Sequence, residues 1–327
     1  MNILKNKTIL LTGGTGSFGQ QFAKIVLDEY QPNVLRIFSR GEMKQFEMQK
    51  QFKHENIRYF IGDVRDKERL HRAMVDVDVV IHAAALKQVP ACEYNPIEAV
   101  RTNVEGAINI IDTAIDNGVE HVMAISTDKA VHPVNLYGAT KMTAEKLFVQ
   151  ANTYSGLADT KFSCVRYGNV IGSRGSVIPL FEEQKKTGAI TLTDERMTRF
   201  WLTIEQGARF VIKCINMMNG GEIFVPKVLS MKVIDLAKAI APKAKIESIG
   251  IRPGEKLHEV LLTEDEARHS LEFDKFYLIR SEQPFYQRRK IVGGLPLSEG
   301  FKYTSDTNIN VLTKEDIKNF IKKSKSI

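Results

Sequence analysis

The sequence predicts an α/β protein with a Rossmann-like, doubly wound parallel sheet and a smaller C-terminal lobe. Two observations support this fold class. Short β-branched apolar runs alternate with amphipathic stretches through the first half of the chain, and a glycine-rich loop directly follows the first run. Repeated strand–helix units form parallel sheets whose two faces are both covered by helices.

The first half of the chain contains the most regular pattern. Strands are predicted at 8–11, 34–38, 57–61, 78–81, 121–125 and 162–166, and helices at 18–29, 42–52, 97–115 and 135–152. The long third helix is predicted because isoleucine and valine residues recur at helical spacing from Ile97 to Ile115. After about residue 170 the rhythm loosens, and helices are expected at 203–217 and 233–241 with short strands between them.

Composition and cysteine usage bound the class of protein. Charged residues make up 26% of the chain and hydrophobic residues 43%, as in ordinary globular proteins. The apolar run at 8–11 is too short for a signal peptide, and no stretch approaches the length of a membrane span. Cys92, Cys164 and Cys214 are scattered, which indicates reduced thiols. We expect a cytoplasmic protein that needs no metal, disulfide or membrane.

The net charge of +7 is dispersed along the chain. Its only dense run is the tail with Lys318, Lys322, Lys323 and Lys325, which is typical of a solvated helical end. The charge alone therefore does not indicate a nucleic-acid partner. A modest positive excess suits an enzyme that attracts a dinucleotide and a nucleoside diphosphate.

The glycine-rich loop has the spacing GxxGxxG between the first strand and the first helix. Such glycines allow a tight turn and a close approach of the backbone to a pyrophosphate, and the helix N-terminus directs N–H donors at the phosphates. A purely structural turn is the alternative, and the flanking strand and helix argue against it. The residues assigned here to a dinucleotide are Thr12, Gly13, Gly14, Thr15, Gly16, Ser17, Phe18 and Gly19. Residues 1–170 are thus predicted to form the dinucleotide-binding domain, with 203–229 packed onto it, and 171–327 mainly a substrate-binding lobe.

The end of the second strand indicates which dinucleotide binds. Sites for NAD place an acidic residue there, whereas this chain has Ser39 and Arg40, with Lys44 one turn later. A hydroxyl and two cations suit the 2′-phosphate of NADP better than a pair of solvated surface charges would. Asp63 and Val64 follow the third strand, where they could hold the adenine edge, and Asp63 could also be a helix N-cap.

Tyr137 and Lys141 form a YxxxK pair on one face of a predicted helix. A tyrosine with a free pKa of about 10 is a poor base, and a nearby ammonium is expected to lower that pKa. Ser126 and Thr127 end the preceding strand, where their hydroxyls could hold a substrate. YxxxK alone is common by chance, but after a dinucleotide loop and a Ser-Thr strand end it indicates oxidoreductase chemistry on a substrate hydroxyl.

Longer motifs continue this pattern over nearly the whole chain. They are TGGTGSFG, FSRGEMKQFEM, FIGDVRDKERL, IHAAALKQVP, STDKAVHPVNLYGATK, RYGNVIGSRGSVIP, MTRFW, GGEIFVPK and IRPGEKLHE. On these motifs the chain resembles the extended short-chain dehydrogenases/reductases, and among them the inverting UDP-N-acetylglucosamine 4,6-dehydratases of pseudaminic acid synthesis. The resemblance implies tightly bound NADP, UDP-N-acetylglucosamine as substrate, and a homo-oligomer.

Asp128 and Lys129 distinguish the dehydratases within this resemblance. A 4-epimerase needs only oxidation, rotation and reduction, whereas a dehydratase must also remove the C5 proton and expel the C6 hydroxyl. Taken alone, these two residues would be interpreted as exposed loop charges. The resemblance implies instead that they form the second acid–base pair.

The resemblance also implies roles for the individual side chains. Tyr137, supported by Lys141, deprotonates the C4 hydroxyl while NADP accepts the hydride. Lys129, as a neutral amine with a lowered pKa, removes the C5 proton. A protonated Asp128 assists departure of the C6 hydroxyl as water, and the hydride returns to C6. Lys129 then protonates C5 from the opposite face, so that C5 is inverted.

Further residues are assigned by motif. The resemblance implies cofactor contacts for Ala83, Ala84, Ala85, Lys87, Asn103 and Ser126, and substrate contacts for Lys87, Thr127, Asn169, Val170, Arg199, Arg252 and Glu255. Arg199 and Arg252 would hold the diphosphate, and Glu255 the uridine ribose; surface salt bridges are the alternative for the arginines. His132 stands where relatives have an asparagine, and we interpret it as a loop contact rather than a general acid.

Three other functions are compatible with the same fold. A 4-epimerase or a retaining 4,6-dehydratase would use the same fold, and Lys129 argues against both because the retaining enzymes carry a glutamate there. A non-catalytic NADP-sensing regulator is disfavoured by the Tyr137–Lys141 pair. The configuration at C5 of the product distinguishes the enzymes, and turnover itself excludes the regulator. The sequence leaves open whether flagellin, capsule or lipopolysaccharide receives the sugar.

Overall fold

The structure is a computed structural model that describes residues 2–156, 159–171, 177–282, 291–313, 315–317 and 321. The tail lysines Lys318, Lys322, Lys323 and Lys325, predicted to form a solvated helical end, lie outside the described residues.

A parallel sheet forms the centre of the first half of the chain. Its strands are β1 (Thr8–Thr12), β2 (Val34–Ser39), β3 (Ile57–Ile61), β4 (Val79–His82), β5 (His121–Thr127) and β6 (Lys161–Tyr167). They lie in the order β3-β2-β1-β4-β5-β6 and are all parallel. This order reverses direction between β1 and β4, which is the doubly wound arrangement that places ligands at the carboxyl ends of the strands. The predicted fold class is confirmed.

Helices cover both faces of this sheet. They are α1 (Ser17–Glu29), α2 (Glu42–Gln51), α3 (Lys67–Met74), α4 (Val89–Tyr94), α5 (Pro96–Val100), α6 (Gly106–Asp116) and α7 (Leu136–Ala151). A π-helical turn, Arg101–Glu105, joins α5 to α6, so the predicted long helix forms with one local irregularity. Sequence periodicity did not reveal α3 and α4, because helices of eight and six residues are too short to show it.

The chain then leaves the sheet and returns to it. Next come β7 (Asn169–Ile171), α8 (Val177–Gln184), β8 (Ala189–Leu192), β9 (Thr198–Thr203), α9 (Ile204–Ile215) and β10 (Ile223–Pro226). β10 pairs in parallel with β6 and continues the large sheet. α9 begins at a capping box formed by Thr203 and Gln206, and Arg209 on α9 joins α1 through Glu29 at 2.7 Å.

The remaining elements complete the large sheet and build a second layer. They are β11 (Leu229–Lys232), α10 (Val233–Ile240), β12 (Lys245–Ser248), β13 (Val260–Leu262), α11 (Glu264–Ala267), β14 (Ser270–Glu272), β15 (Phe276–Ile279), β16 (Leu295–Pro296) and β17 (Tyr303–Thr304). β15, β14 and β16 add antiparallel strands beyond β10, so that ten strands of the described chain form one sheet. Three strands that the sequence interpretation assigned to the second lobe therefore belong to this sheet.

Two hydrophobic cores follow from this arrangement. The larger core surrounds the sheet, where Ile9, Leu10 and Leu11 are fully buried. The smaller core packs α8 and α10 against β9 and includes Phe181, Trp201, Leu236 and neighbouring residues. Within the described residues, no helix is long and apolar enough to cross a membrane.

Candidate active site

A cavity of about 1260 Å³ opens at the carboxyl ends of the central strands, between the two cores. This volume is larger than that of a typical single-ligand pocket. Most residues that the sequence predicted for the site line it: Gly13, Thr15, Gly16, Ser17, Phe18, Gly19, Ser39, Arg40, Lys44, Asp63, Val64, Ala83, Ala84, Ala85, Lys87, Ser126, Thr127, Asp128, Lys129, Tyr137, Lys141, Asn169, Val170, Arg199, Arg252 and Glu255.

Thr12, Gly14 and Asn103 were also predicted to contact the cofactor, but they do not line the cavity. Thr12 is fully buried, and its hydroxyl accepts the N–H groups of Ala83 and Ala84 at 3.2 and 3.3 Å. It therefore joins the ends of β1 and β4 from beneath. A Cβ on Gly14 would lie 2.8 Å from Cγ2 of Ile37, so Gly14 allows the loop to pack on β2.

Asn103 lies in the π-helical turn and is 2% exposed. Its amide accepts the Leu86 N–H at 2.8 Å and donates to the Leu86 carbonyl and the Thr140 hydroxyl. Asn103 thus fixes the loop after β4 to α7 and shapes the cavity without lining it. The π turn explains the position of this side chain, since such turns commonly reorient residues next to functional sites.

The glycine-rich loop has steric reasons for its glycines. Gly13 has φ +66°, and a Cβ there would lie 2.9 Å from the Ala83 carbonyl group. A Cβ on Gly19 would lie 2.4 Å from the Gly14 carbonyl oxygen, so α1 could not approach the loop with any larger residue. The N-terminus of α1 consequently lies at the cavity wall, where the N–H groups of a helix N-terminus suit phosphate oxygens.

The end of β2 presents hydroxyl and cationic groups to the cavity. Gln45, which the sequence reasoning missed, donates its amide to the carbonyls of Ser39 and Phe60 and lies 3.0 Å from Oγ of Ser39. Arg40 is half exposed, and its Nη1 lies 3.7 Å from Oδ2 of Asp63. Gln45 therefore fixes the strand end, while Arg40 keeps an exposed guanidinium at the predicted 2′-phosphate position.

Asp63 pairs with arginines instead of capping a helix. Its carboxylate accepts hydrogen bonds from Arg65 at 2.7 and 3.0 Å. Partial burial would raise the pKa of Asp63, but the hydrogen bonds from Arg65 outweigh it and lower the pKa. The N-cap of α3 is Asp66, which accepts the Arg69 N–H, so the N-cap alternative for Asp63 is wrong.

Tyr137 and Lys141 lie at the start of α7, which begins where the Asn135 side chain accepts the Gly138 N–H at 2.7 Å. Nζ of Lys141 donates to the Ile125 carbonyl at 2.7 Å, and burial lowers the pKa of Lys141. Burial also raises the pKa of Tyr137 to about 12, against the opposing effects of Lys129 and Thr127. The expectation of a lowered pKa for Tyr137 is therefore wrong, because burial outweighs the opposing effects and Nζ of Lys141 is directed at a backbone carbonyl.

Asp128 and Lys129 form a short 3₁₀ turn with Ala130, directly after β5. Oδ1 of Asp128 accepts hydrogen bonds from Oγ1 of Thr127 and Nζ of Lys129, both at 2.9 Å. Oδ2 is buried and has no hydrogen-bond partner in the described structure. Burial raises the pKa of Asp128, and the charge of Glu259 adds to this effect. The direction agrees with the protonated form that the sequence interpretation required.

Glu259, which the sequence reasoning missed, is the second carboxylate beside Lys129. Its Oε1 lies 3.3 Å from Nζ of Lys129, and the residue is 2% exposed. Burial would lower the pKa of Lys129, but the charges of Asp128 and Glu259 outweigh it and raise the pKa. The expectation of a lowered pKa for Lys129 is therefore wrong in the ligand-free site. Glu259 lies within IRPGEKLHE, but the motif alone does not indicate that its carboxylate lies beside Lys129.

The substrate side of the cavity contains the predicted diphosphate ligands. Arg199 is 8% exposed, and its guanidinium donates to the carbonyls of Thr198, Lys256 and Leu257 at 2.7 to 3.1 Å. Most of its donors are thus occupied by the chain itself. Arg252, by contrast, is exposed in a turn. The structure brings both arginines to one cavity but makes Arg252 the more available cation.

Several buried polar atoms on the cavity wall have no hydrogen-bond partner among the described residues. They are Oγ1 of Thr102, Oγ of Ser126, Oδ2 of Asp128, Oδ1 of Asn169, Nε1 of Trp201, and Oε2 of both Glu255 and Glu259. Buried polar groups are almost always hydrogen-bonded, so these atoms indicate ligands. Together with the glycine loop and the cations after β2, they fit a dinucleotide and a polar second molecule.

His132 does not line the cavity, and it has φ +44°. Asparagine and histidine enter this left-handed region more readily than most residues. The backbone conformation is therefore compatible with a histidine at this position. Across the ranges that the structure describes, no cluster of His, Cys, Asp or Glu could hold a metal ion.

Residues 9–281 match a family model described as polysaccharide biosynthesis protein. The chain belongs to this family. Its curated relatives include an inverting UDP-N-acetylglucosamine 4,6-dehydratase of Campylobacter jejuni, with 50% identity over 315 residues and 94% of both chains covered. A UDP-glucose 4-epimerase of Rickettsia canadensis is 41% identical over 282 residues, which cover 84% of this chain and 83% of that one. The resemblance inferred from the motifs is confirmed.

Solved structures of similar proteins agree with the fold. The X-ray structure of Pen from Bacillus thuringiensis superposes with a TM-score of 0.91 at 40% identity, and 99% of both chains is covered. The dTDP-glucose 4,6-dehydratase DesIV of Streptomyces venezuelae has a TM-score of 0.69 at 22% identity over 76% of this chain and 86% of that one. The second likeness shows the fold alone.

Proposed function

We propose that this protein is an inverting UDP-N-acetylglucosamine 4,6-dehydratase with tightly bound NADP. The product would be UDP-2-acetamido-2,6-dideoxy-β-L-arabino-hex-4-ulose, in the first step of pseudaminic acid synthesis. One observation carries the proposal: Asp128, Lys129 and Tyr137 line the same cavity, beside the dinucleotide loop. The reaction named for the Campylobacter jejuni relatives, which are 49–50% identical, needs this combination of groups.

The choice of NADP rests on the end of β2. Ser39, Arg40 and Lys44 line the cavity there, and no acidic residue occupies the strand end. Arg40 can bind a 2′-phosphate with two parallel hydrogen bonds. NADP, when bound, supplies a reversible hydride acceptor. Within the chain, Ser126 offers an unpartnered hydroxyl, and Lys87 a lysine whose pKa burial lowers, where cofactor and sugar meet.

Tyr137 is the group proposed to remove the C4 hydroxyl proton. Burial raises its pKa to about 12, so the proposed role requires groups that stabilise the phenolate. The ammonium of Lys129 and the hydroxyl of Thr127 both favour the phenolate. Tyr137 is positioned by α7, whose start is fixed by Asn135, so the phenol oxygen has a defined place in the cavity.

Asp128 and Lys129 can become acid and base through one proton transfer. The ammonium of Lys129 donates to Oδ1 of Asp128 at 2.9 Å. Movement of that proton to Asp128 leaves a neutral amine, which can take the C5 proton, and a carboxylic acid, which can protonate the departing C6 hydroxyl. The raised pKa of Asp128 favours this transfer, whereas the raised pKa of Lys129 opposes it. Return of the C5 proton from the opposite face would then invert the configuration.

The sugar nucleotide is proposed to occupy the remaining wall of the cavity. Asn169, Val170 and Glu255 lie on this wall, and two of them carry an unpartnered buried oxygen. Arg252 is proposed to bind the diphosphate, with Arg199 as a second contact. The division into a cofactor domain at 1–170 and a substrate lobe within 171–327 stays a proposal, as does a homo-oligomer, which size-exclusion chromatography with light scattering would test.

The decisive test is proton NMR of the purified protein with UDP-N-acetylglucosamine in deuterated buffer. We expect a new 6-deoxy methyl signal, deuterium at C5 and L-configuration at that carbon. A D-configured, C5-deuterated product would contradict inversion and indicate a retaining dehydratase. Conversion to the galacto isomer alone would indicate an epimerase, the activity named for the Rickettsia canadensis relative. Absence of turnover after addition of NADP would contradict the proposal.

A further inference from the structure

Lys129 is shared between two carboxylates whose surroundings differ. Asp128 is its neighbour in the chain and contacts Nζ at 2.9 Å, while Glu259 contacts the same atom at 3.3 Å from 130 residues away. Both carboxylates are almost fully buried. A single buried ammonium between two such groups raises the question of which carboxylate keeps the negative charge.

Cations are distributed unequally around these two carboxylates. Glu259 lies 3.6 Å from Nε of Arg199 and 3.8 Å from Nζ of Lys256, in addition to its contact with Lys129. Asp128 has Lys129 as its side-chain cation, because Lys256 reaches only its backbone carbonyl, at 3.5 Å. Coulombic attraction therefore favours the ionised form of Glu259 over that of Asp128.

The backbone holds Glu259 in this place. Its N–H donates to Oγ of Ser305 at 2.9 Å, and its carbonyl accepts the Ser305 N–H at 2.9 Å. Oγ of Ser305 lies 2.7 Å from Oγ1 of Thr198, on the strand that carries Arg199. β13 and β17 pair immediately beyond this point. Hydrogen bonds thus fix the backbone of Glu259 next to β13, and its side chain reaches Lys129 from there.

We propose that Glu259 is a positioning residue that remains ionised as the counter-ion of Lys129, so that Asp128 is free to carry the proton needed for loss of the C6 hydroxyl. The inference rests on the proposed function, since it assigns a division of labour within that acid–base pair. The pKa directions agree with it: the pKa of Asp128 is raised by burial, while Lys129, Arg199 and Lys256 outweigh burial and lower the pKa of Glu259. Two carboxylates whose environments separate their pKa values are typical of an acid and its charged partner.

The charges around Asp128 and Lys129 determine how loss of the Glu259 charge changes the pKa values of these two residues. Lys256 and Arg199 are the other cations near Lys129, and Tyr137 is the remaining titratable group. His258 turns to the Thr198 hydroxyl, at 2.8 Å. Removal of the negative charge of Glu259 favours the ionised form of Asp128 and disfavours the ammonium of Lys129. The pKa values of both groups therefore fall.

The test is the pH dependence of kcat for UDP-N-acetylglucosamine dehydration in the wild type, Glu259→Gln, Glu259→Asp and the surface control Glu264→Gln. In Glu259→Gln we expect both limbs of the bell-shaped profile to move to lower pH by about one unit. Glu259→Asp retains the charge and is expected to keep the wild-type limbs at a lower kcat. Glu264 is more than half exposed, so Glu264→Gln should match the wild type.

A uniform loss of kcat in Glu259→Gln, with both limbs at the wild-type pH, would overturn the inference and leave Glu259 a structural residue. If Glu259→Gln does not fold, Glu259→Ala provides the same comparison within one protein: added acetate should return the limbs toward the wild-type pH, and no response would overturn the inference. Failure of the proposed function is distinguishable, because the wild type itself would then form no 6-deoxy product.

Discussion

Nζ of Lys129 lies 2.9 Å from Oδ1 of Asp128, the residue that precedes it in the chain. Consecutive side chains in a helix point in different directions, but here the two residues form a 3₁₀ turn directly after β5. Thr127 assists this geometry, since its hydroxyl donates to the same carboxylate oxygen. The proposed acid and the proposed base are therefore joined by one hydrogen bond.

Replacement of Lys129, the proposed base, should reduce dehydration activity without changing cofactor binding. For Lys129→Met we expect a loss of dehydration of about 10²–10⁴-fold, the usual contribution of a general base. The copurified NADP, measured by its absorbance after denaturation, should be unchanged. Asp128→Asn is the matched variant, and it should lose dehydration to a similar extent because it cannot supply the proton. Full activity of Lys129→Met would remove Lys129 from the C5 step.

Cofactor preference should depend on Arg40. A charge-assisted hydrogen bond contributes about 1.5–3 kcal/mol, so Arg40→Ala should weaken NADP by about ten- to a hundredfold. Binding of NAD, which lacks the 2′-phosphate, should change little. Titration calorimetry of cofactor-free protein with each dinucleotide provides the measurement. Lys53→Ala, an exposed cation beyond α2, serves as the control. An equal loss for both dinucleotides would contradict the 2′-phosphate contact.

Gly138 sets the distance between α7 and the 3₁₀ turn Asp128–Ala130. A Cβ at this position would lie 2.2 Å from the Lys129 carbonyl oxygen, so Gly138→Ala must displace one of the two segments. Overpacking of this kind costs about 1–3 kcal/mol of unfolding free energy. Dehydration activity should fall as well, because the displaced segments carry Lys129 and Tyr137. Gly207→Ala is a matched control on α9, because its Cβ would meet Leu202 at 3.5 Å, an ordinary contact. Equal stability and activity of the two variants would refute the steric argument.

His82 should make stability depend on pH in the acidic range. The ring is buried beside Thr12, and burial lowers the pKa of His82 to about 3. Below pH 6.5, about the pKa of His82 in the unfolded chain, the unfolded chain binds a proton at this residue and the folded chain does not. The unfolding free energy therefore falls as the pH falls toward the pKa of His82 in the folded state. At pH 5 this group alone removes about 2 kcal/mol of unfolding free energy relative to pH 7.5.

Urea unfolding of the wild type and His82→Gln at pH 7.5 and pH 5 would measure this contribution. The variant starts from a lower stability at pH 7.5, since it loses the hydrogen bond to Thr12. Its further loss of unfolding free energy at pH 5 should be smaller than that of the wild type by about 2 kcal/mol. An identical pH dependence in both proteins would show that His82 binds its proton in the folded state.

Local patterns explain which parts of the fold the sequence predicts well. Each central strand is a short apolar run, and the predicted bounds of β3, 57–61, coincide with those in the structure. β10 and β15 were not placed in the large sheet, because a strand of four residues does not indicate its pairing partner. Pairing between distant segments is fixed by topology, which the residues of one strand do not encode.

The same distinction applies to the site. Motifs predicted most of the site residues that line the cavity, with Thr12, Gly14 and Asn103 as exceptions, but they predicted the pKa directions of Lys129 and Tyr137 wrongly. The pKa of Lys129 is raised by Asp128 and by Glu259, which lies 130 residues away, and the pKa of Tyr137 is raised by burial. Charges and acceptors contributed by remote elements cannot be derived from the spacing of a motif.

The return of β10, β15, β14 and β16 to the sheet bears on how the protein is made. While only the residues up to Tyr167 have left the ribosome, β6 is an edge strand with unpaired N–H and C=O groups on one side. Exposed edges of this kind recruit other chains. During synthesis β6 must remain unpaired until Ile223–Pro226 emerges, and the outermost strands are complete only at Pro296. The nascent chain thus has an interval in which one edge of its sheet is exposed, and a fragment that ends near residue 170 should aggregate.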